Sequence, residues 1–82
     1  MTWDIEHTEV FGAWWEGLTL PEQESVSVVV RLLAHEGPFL RHPYSSGIKG
    51  SRYGHMRELR IQHAGRPYRV LYALDPRRTA FL

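Results

Sequence analysis

The groups in this sequence that could act on a phosphate gather in its second half. Lys49, Arg52, His55, Arg57, Arg60, Arg66 and Arg69 follow one another closely, with Arg41 before them and Arg77 and Arg78 after. Apart from Lys49 the formal cations are arginines, whose planar fork of N–H donors matches the oxygens of a phosphate better than an ammonium does. Residues 37–82 hold nine bases and two acids, whereas residues 1–36 hold seven acids and one base, so a net charge of +1 conceals +7 set against −6. Such block asymmetry points to an anionic partner meeting one half of the chain. The alternative is that the two halves neutralise each other across the fold.

Other chemistries find less to work with. The chain has no cysteine, which removes disulfides, thiolate metal sites and cysteine nucleophiles together and suits a reducing cytosol. His7, His35, His42 and His63 show no helical i, i+4 pairing and no acidic cluster beside them, so no metal or other cofactor is expected. The chain contains no apolar run of the roughly 20 residues that cross a bilayer. Its start, Met1-Thr2-Trp3-Asp4-Ile5-Glu6, lacks the basic-then-apolar order of a signal peptide, so a cytoplasmic location is expected. At 82 residues and 43% hydrophobic content, one domain spanning 1–82 is expected.

The elements that must position the basic residues can be read from periodicity. Trp3 to His7 alternates as a short strand does, with Trp3 and Ile5 on one side. Phe11, Trp14, Trp15 and Leu18 share a helical stripe behind a Thr8 cap and before Gly17. A tryptophan stripe of this spacing is a core face, with base stacking by Trp14 or Trp15 as the rival reading. Thr19-Leu20-Pro21-Glu22 forms a capping box ahead of a second stripe, Val26, Val29, Val30, Leu33 and Ala34, which Gly37-Pro38 ends. Residues 38–55 read as one long loop carrying Arg41, His42, Lys49, Arg52 and His55, and loops of that length tend to be functional. Met56–Gln62 and Pro67–Asp75 read as a hairpin turned at His63-Ala64-Gly65-Arg66, and Thr79–Leu82 begins a further strand.

Two passages carry a family likeness: Gly47-Ile48-Lys49-Gly50-Ser51-Arg52-Tyr53-Gly54-His55-Met56-Arg57-Glu58-Leu59-Arg60 and Gly65-Arg66-Pro67-Tyr68-Arg69-Val70-Leu71-Tyr72. Together they resemble the RelE/HigB toxin superfamily, in its phage-derived Gp49-like HigB branch. The resemblance implies an α+β fold, with an N-terminal strand and a helical hairpin packed on an antiparallel sheet. It implies a metal-independent, ribosome-dependent endoribonuclease acting on mRNA, neutralised by a cognate helix-turn-helix antitoxin. The RNA 2′-OH attacks the adjacent phosphorus in that chemistry, which calls for a proton acceptor, cations for the developing phosphorane charge and a proton donor for the leaving oxygen.

Carried over by position, the resemblance puts Arg69 in the place of a catalytic arginine, Lys49 in that of the loop lysine, and His55 near a histidine that some HigB-type toxins use. Arg52, Arg57, Arg60 and Arg66 become RNA contacts. Each has a plainer reading: Arg69 as the ion-pair partner of Glu58, Lys49 as a solvated loop cation, His55 as a hydrogen-bonded loop residue. Met56 and Glu58 stand where some RelE toxins carry lysines, and the sequence reaches Leu82 before the strand and C-terminal segment with which that family continues. It therefore reads as a C-terminally shortened member, either an active toxin or an inactive module that binds antitoxin or RNA. A small nucleic-acid-binding protein without toxin ancestry is the third alternative.

Overall fold

Two threonines start the helices. Thr8 Oγ1 accepts from the Phe11 N–H at 3.1 Å and opens α1 (Glu9–Glu16), which Gly17 ends. Thr19 and Glu22 complete the capping box, each side chain accepting from the other's backbone N–H, and open α2 (Leu20–Glu36). At the far end of α2, Gly37 adopts φ +55, and a Cβ there would lie 2.3 Å from the Trp3 indole nitrogen. Trp3 also donates its N–H to the Ala34 carbonyl at 2.7 Å, so the chain entering the first strand is fastened to the end of α2. The computed structural model describes residues 2–48 and 56–82.

The described strands are β1 (Asp4–Glu6), β2 (Ser45–Gly47), β3 (Met56–His63), β4 (Arg66–Asp75) and β5 (Thr79–Phe81), in the sheet order β1-β5-β4-β3-β2. β1 runs parallel to β5 and every other pairing is antiparallel. The sheet is therefore mixed rather than wholly antiparallel, while the α+β arrangement of strand, helical hairpin and sheet is the RelE-like one. The long loop expected over 38–55 also needs correction, because a 3-10 turn (Gly37–Phe39) and β2 occupy part of it. Ser45-Ser46-Gly47 has little strand propensity of its own, and its pairing with Arg57–Leu59 makes it a strand.

β3 and β4 form a long hairpin whose turn is just Ala64-Gly65, at φ +50 and +79, with His63 paired to Arg66. Two positive φ values in a two-residue loop are those of a type I′ turn, which follows the natural twist of the strands. Leu59, Ile61, Val70 and Tyr72 point to the helices and meet Val26, Val29 and Leu33 of α2 in the core, with Leu40, Ala80 and Leu82 at its margins. The stripe Phe11, Trp14, Trp15 and Leu18 is partly buried against this core, as a core-facing stripe should be. At the hairpin tip, Ser25 Oγ and His63 Nδ1 lie 2.7 Å apart, and Tyr68 donates to Glu22, pinning the turn to α2.

Candidate functional site

The period of two along β3 and β4 sorts the arginines. Arg57, Leu59 and Ile61 share the face that the helices cover, and Met56, Glu58 and Arg60 the opposite, open face. By the register Arg60↔Arg69, Glu58↔Leu71 and Met56↔Ala73, the open face also receives Arg69, Leu71 and Ala73. Arg60 and Arg69 thus stand directly opposite each other in the middle of the sheet. Like charges in that relation repel, since facing Cβ atoms in a sheet are about 5 Å apart.

Glu58 offsets the repulsion. Its Oε1 lies 3.0 Å from Arg69 Nε, an ion pair in which the glutamate side chain is 19% exposed and the arginine 60%. The approach is off the axis of the N–H, so Oε1 accepts no hydrogen bond from any described residue. The ion pair foreseen as the plain reading of Arg69 therefore exists. It is a charge contact at the Nε side and leaves the outward part of an exposed guanidinium available to an anion.

The remaining expected contacts divide. Arg57 is half-buried on the helix side and donates from Nε to Ser45 Oγ at 3.0 Å. Arg66 is exposed at the hairpin tip, on the Arg57 side of the strand alternation. Neither shares the open face with Arg60 and Arg69. Lys49, Arg52 and His55 lie outside the described residues.

Two polar clusters went unforeseen. Ser45 Oγ and Tyr72 Oη lie 2.5 Å apart, both residues about 1% exposed, and with Arg57 they join β2, β3 and β4 beneath the open face. The signal was present in part: Tyr72 alternates with Val70 on a strand, and a buried phenol needs a partner. The second cluster holds Glu22, whose carboxyl is lowered from 4.5 to about 2, chiefly by the Tyr68 hydroxyl and then by the Thr19 backbone. The same bond raises the Tyr68 phenol. Among the described residues no group of histidines and carboxylates is arranged to hold a metal ion. No helix among them is long and apolar enough to cross a membrane.

Across 82 residues the chain is 38% identical to a Mycobacterium tuberculosis protein named "Putative toxin HigB2", covering 99% of this chain and 39% of that one. Across 69 residues it is 38% identical to "Putative toxin HigB3" of the same organism, covering 84% of this chain and 59% of the relative. The match thus spans less than two thirds of the length of either relative. No solved structure matches it. The family model described as "Phage derived protein Gp49-like" matches residues 13–82, from within α1 through every described strand but β1, and so includes the strands that carry Arg60 and Arg69. The chain belongs to this family of phage-derived Gp49-like proteins.

Proposed function

We propose that this chain is a HigB-type toxin of a type II toxin–antitoxin pair, a cytoplasmic single-domain endoribonuclease that cuts mRNA on the ribosome and is restrained by a helix-turn-helix antitoxin. The observation that carries the reading is the facing pair Arg60 and Arg69 on an open sheet face, of which Arg69 is ion-paired with Glu58. A fold gains nothing by setting two arginines opposite each other, whereas a phosphate between them relieves the repulsion. In the proposed reaction the 2′-OH gives up its proton and attacks the adjacent phosphorus in line, and the P–O5′ bond breaks as the leaving 5′-oxygen takes a proton, leaving a 2′,3′-cyclic phosphate. Arg69, held near Glu58 by charge, offers its outer N–H groups to the equatorial oxygens as charge builds there, and Arg60 adds a second cation. Lys49 and His55 are the proposed loop groups for proton transfer and charge, and Arg52 and Arg66 are proposed to hold the RNA backbone beyond the scissile phosphate, a role that the helix-side placement of Arg57 and its bond to Ser45 do not support. The chemistry asks for no cofactor.

The Glu58–Arg69 ion pair also favours a second reading, in which the arginine face binds antitoxin or RNA without cutting. Inducing the chain in a bacterial host and mapping 5′ ends on a translated message, beside an untranslated copy, separates the two. New ends in the translated message alone, lost in folded Arg69→Ala, are expected of the nuclease. Intact message from folded, soluble protein leaves the binding module.

A further inference from the structure

The row that holds the two arginines continues toward β2, at the opposite side of the sheet from β1 and β5. The Arg60 N–H donates to the Tyr44 carbonyl at 2.8 Å. This bond carries the β2–β3 ladder one residue past the Ser45↔Leu59 pair and sets Tyr44 across from Arg60. Strand alternation then sorts the side chains. Ser45 turns beneath the helices, where its hydroxyl meets Tyr72, so Tyr44 leaves on the other face with Ser46 and Glu58. Tyr44, Arg60 and Arg69 therefore form one row across three strands. Facing Cβ atoms lie about 5 Å apart, which puts the tyrosine about 5 Å from Arg60 and about 10 Å from Arg69 at that level.

Tyr44 is both exposed and held. It is 43% exposed, while its backbone is fastened from two sides: the Arg41 carbonyl accepts from the N–H groups of Tyr44 and Ser45 at 3.0 and 3.1 Å, and the Tyr44 carbonyl accepts from Arg60. A tyrosine on so fixed a backbone gives up only two side-chain torsions on binding, and so presents a flat apolar surface at low entropic cost. Phe39 and Phe81 are the other exposed aromatic residues among the described ones. Phe39 belongs to the turn that follows α2. Phe81 faces Ala73, four residues along β4 from Arg69, which is about 13 Å at about 3.3 Å per residue. Neither stands in the arginine row.

An aromatic ring beside two cations on a sheet surface suits single-stranded RNA, in which every nucleotide carries a phosphate and a flat base. The cations take the phosphate and the ring stacks on the base, whichever base it is. An acidic peptide would satisfy the arginines but has no flat ring to lay on the tyrosine. We propose that Tyr44 is a base-stacking residue, and that it takes the base next to the phosphate held between Arg60 and Arg69. Stacking there sets which phosphate of the strand comes to rest on the arginines, so Tyr44 positions the RNA and takes no part in the bond changes. The proposal rests on reading Arg60 and Arg69 as a phosphate site.

The test titrates the chain, carrying 13C-labelled tyrosine, with an RNA hexanucleotide methylated at every 2′-oxygen, which leaves no nucleophile for cleavage. Bound RNA should move the Tyr44 ring protons upfield, as the ring current of a stacked base does. Tyr44→Ala should weaken binding on the order of tenfold, and Tyr44→Phe by less than about twofold. Tyr44→Ala should leave the salt dependence of binding unchanged, whereas Arg60→Ala should make the slope of log K against log salt shallower by about 0.7, the value for one phosphate contact on a single strand. An abasic oligomer of the same length should bind the wild type and Tyr44→Ala alike. A ring that does not shift in the complex, folded Tyr44→Ala that binds as well as the wild type, Tyr44→Phe as weak as Tyr44→Ala, or the same ring shift from a glutamate hexapeptide would each overturn the proposal. Loss of binding in Arg60→Ala and Arg69→Ala but not in Tyr44→Ala leaves the phosphate site standing and sinks the stacking alone; no binding of RNA to the wild type at millimolar concentration sinks both. A shifted ring in a chain that cuts no message refutes the nuclease reading only.

Discussion

The Ser45–Tyr72 contact predicts a non-additive pair of mutations. Both residues are about 1% exposed and their hydroxyls lie 2.5 Å apart, with Arg57 Nε donating to Ser45 Oγ at 3.0 Å. Tyr72→Phe removes one hydroxyl and leaves Ser45 its arginine donor, a loss of about 1 kcal/mol for one buried hydrogen bond. Ser45→Ala strands the Tyr72 hydroxyl in the core, adding the desolvation penalty of an unpaired polar group, so the total should be roughly 2–3 kcal/mol. In the double variant that phenol is gone. Its cost should fall about 1 kcal/mol short of the sum of the singles. For a domain of this size each kcal/mol moves the midpoint by about 4–8 °C, well within reach of thermal or urea unfolding followed by circular dichroism. Additivity to within about 0.5 kcal/mol would show that the two hydroxyls are not coupled and would refute the reasoning.

Other perturbations test other joints of the fold. Ala64 sits at φ +50 in the hairpin turn, so Ala64→Gly should stabilise the protein by about 0.5–1 kcal/mol in urea melts. Gly37→Ala should do the reverse, by about 3 kcal/mol or more, because it combines φ +55 with a methyl placed 2.3 Å from the Trp3 indole. Glu22 is lowered from 4.5 to about 2 mainly by the Tyr68 hydroxyl. Its contribution is therefore complete above pH 4.5 and lost as pH falls from 4.5 toward 2. Tyr68→Phe should flatten the stability profile in that window, and melting both proteins across it would expose an unchanged slope.

How much was legible follows from where each signal is written. Helix starts and stops are local, so Thr8, the Thr19–Glu22 box and Gly37-Pro38 announce their elements directly. β2 is not local: its serines and glycine suggest a loop, and strand character comes from pairing with β3. The parallel contact of β1 with β5 joins two three-residue strands from opposite ends of the chain, too short for either to advertise a partner. In the hairpin, once Ala64-Gly65 is recognised as a two-residue turn, the register sets Arg60 opposite Arg69 and divides them from Arg57 and Arg66. Charge composition alone groups all four. Tyr72 could be expected to need a partner, but Ser45 lies 27 residues away on a strand that cannot be foreseen.

The ion pair and the catalytic reading of Arg69 are not rivals. A guanidinium carries five N–H donors in a fixed fork, and Glu58 approaches Nε while the side chain stays 60% exposed. A carboxylate in that position holds the guanidinium near β3 by charge, without a hydrogen bond that would engage its outer N–H groups. A structural ion pair would be complete with Glu58 and Arg69, and Arg60 would only add repulsion across the strands. With Arg60 present the three side chains keep one positive charge in excess, on a face that the helices leave uncovered. The surplus is unfavourable for the folded chain alone, and on the proposed reading a bound phosphate would offset it, so that reading leans on the second arginine more than on the first.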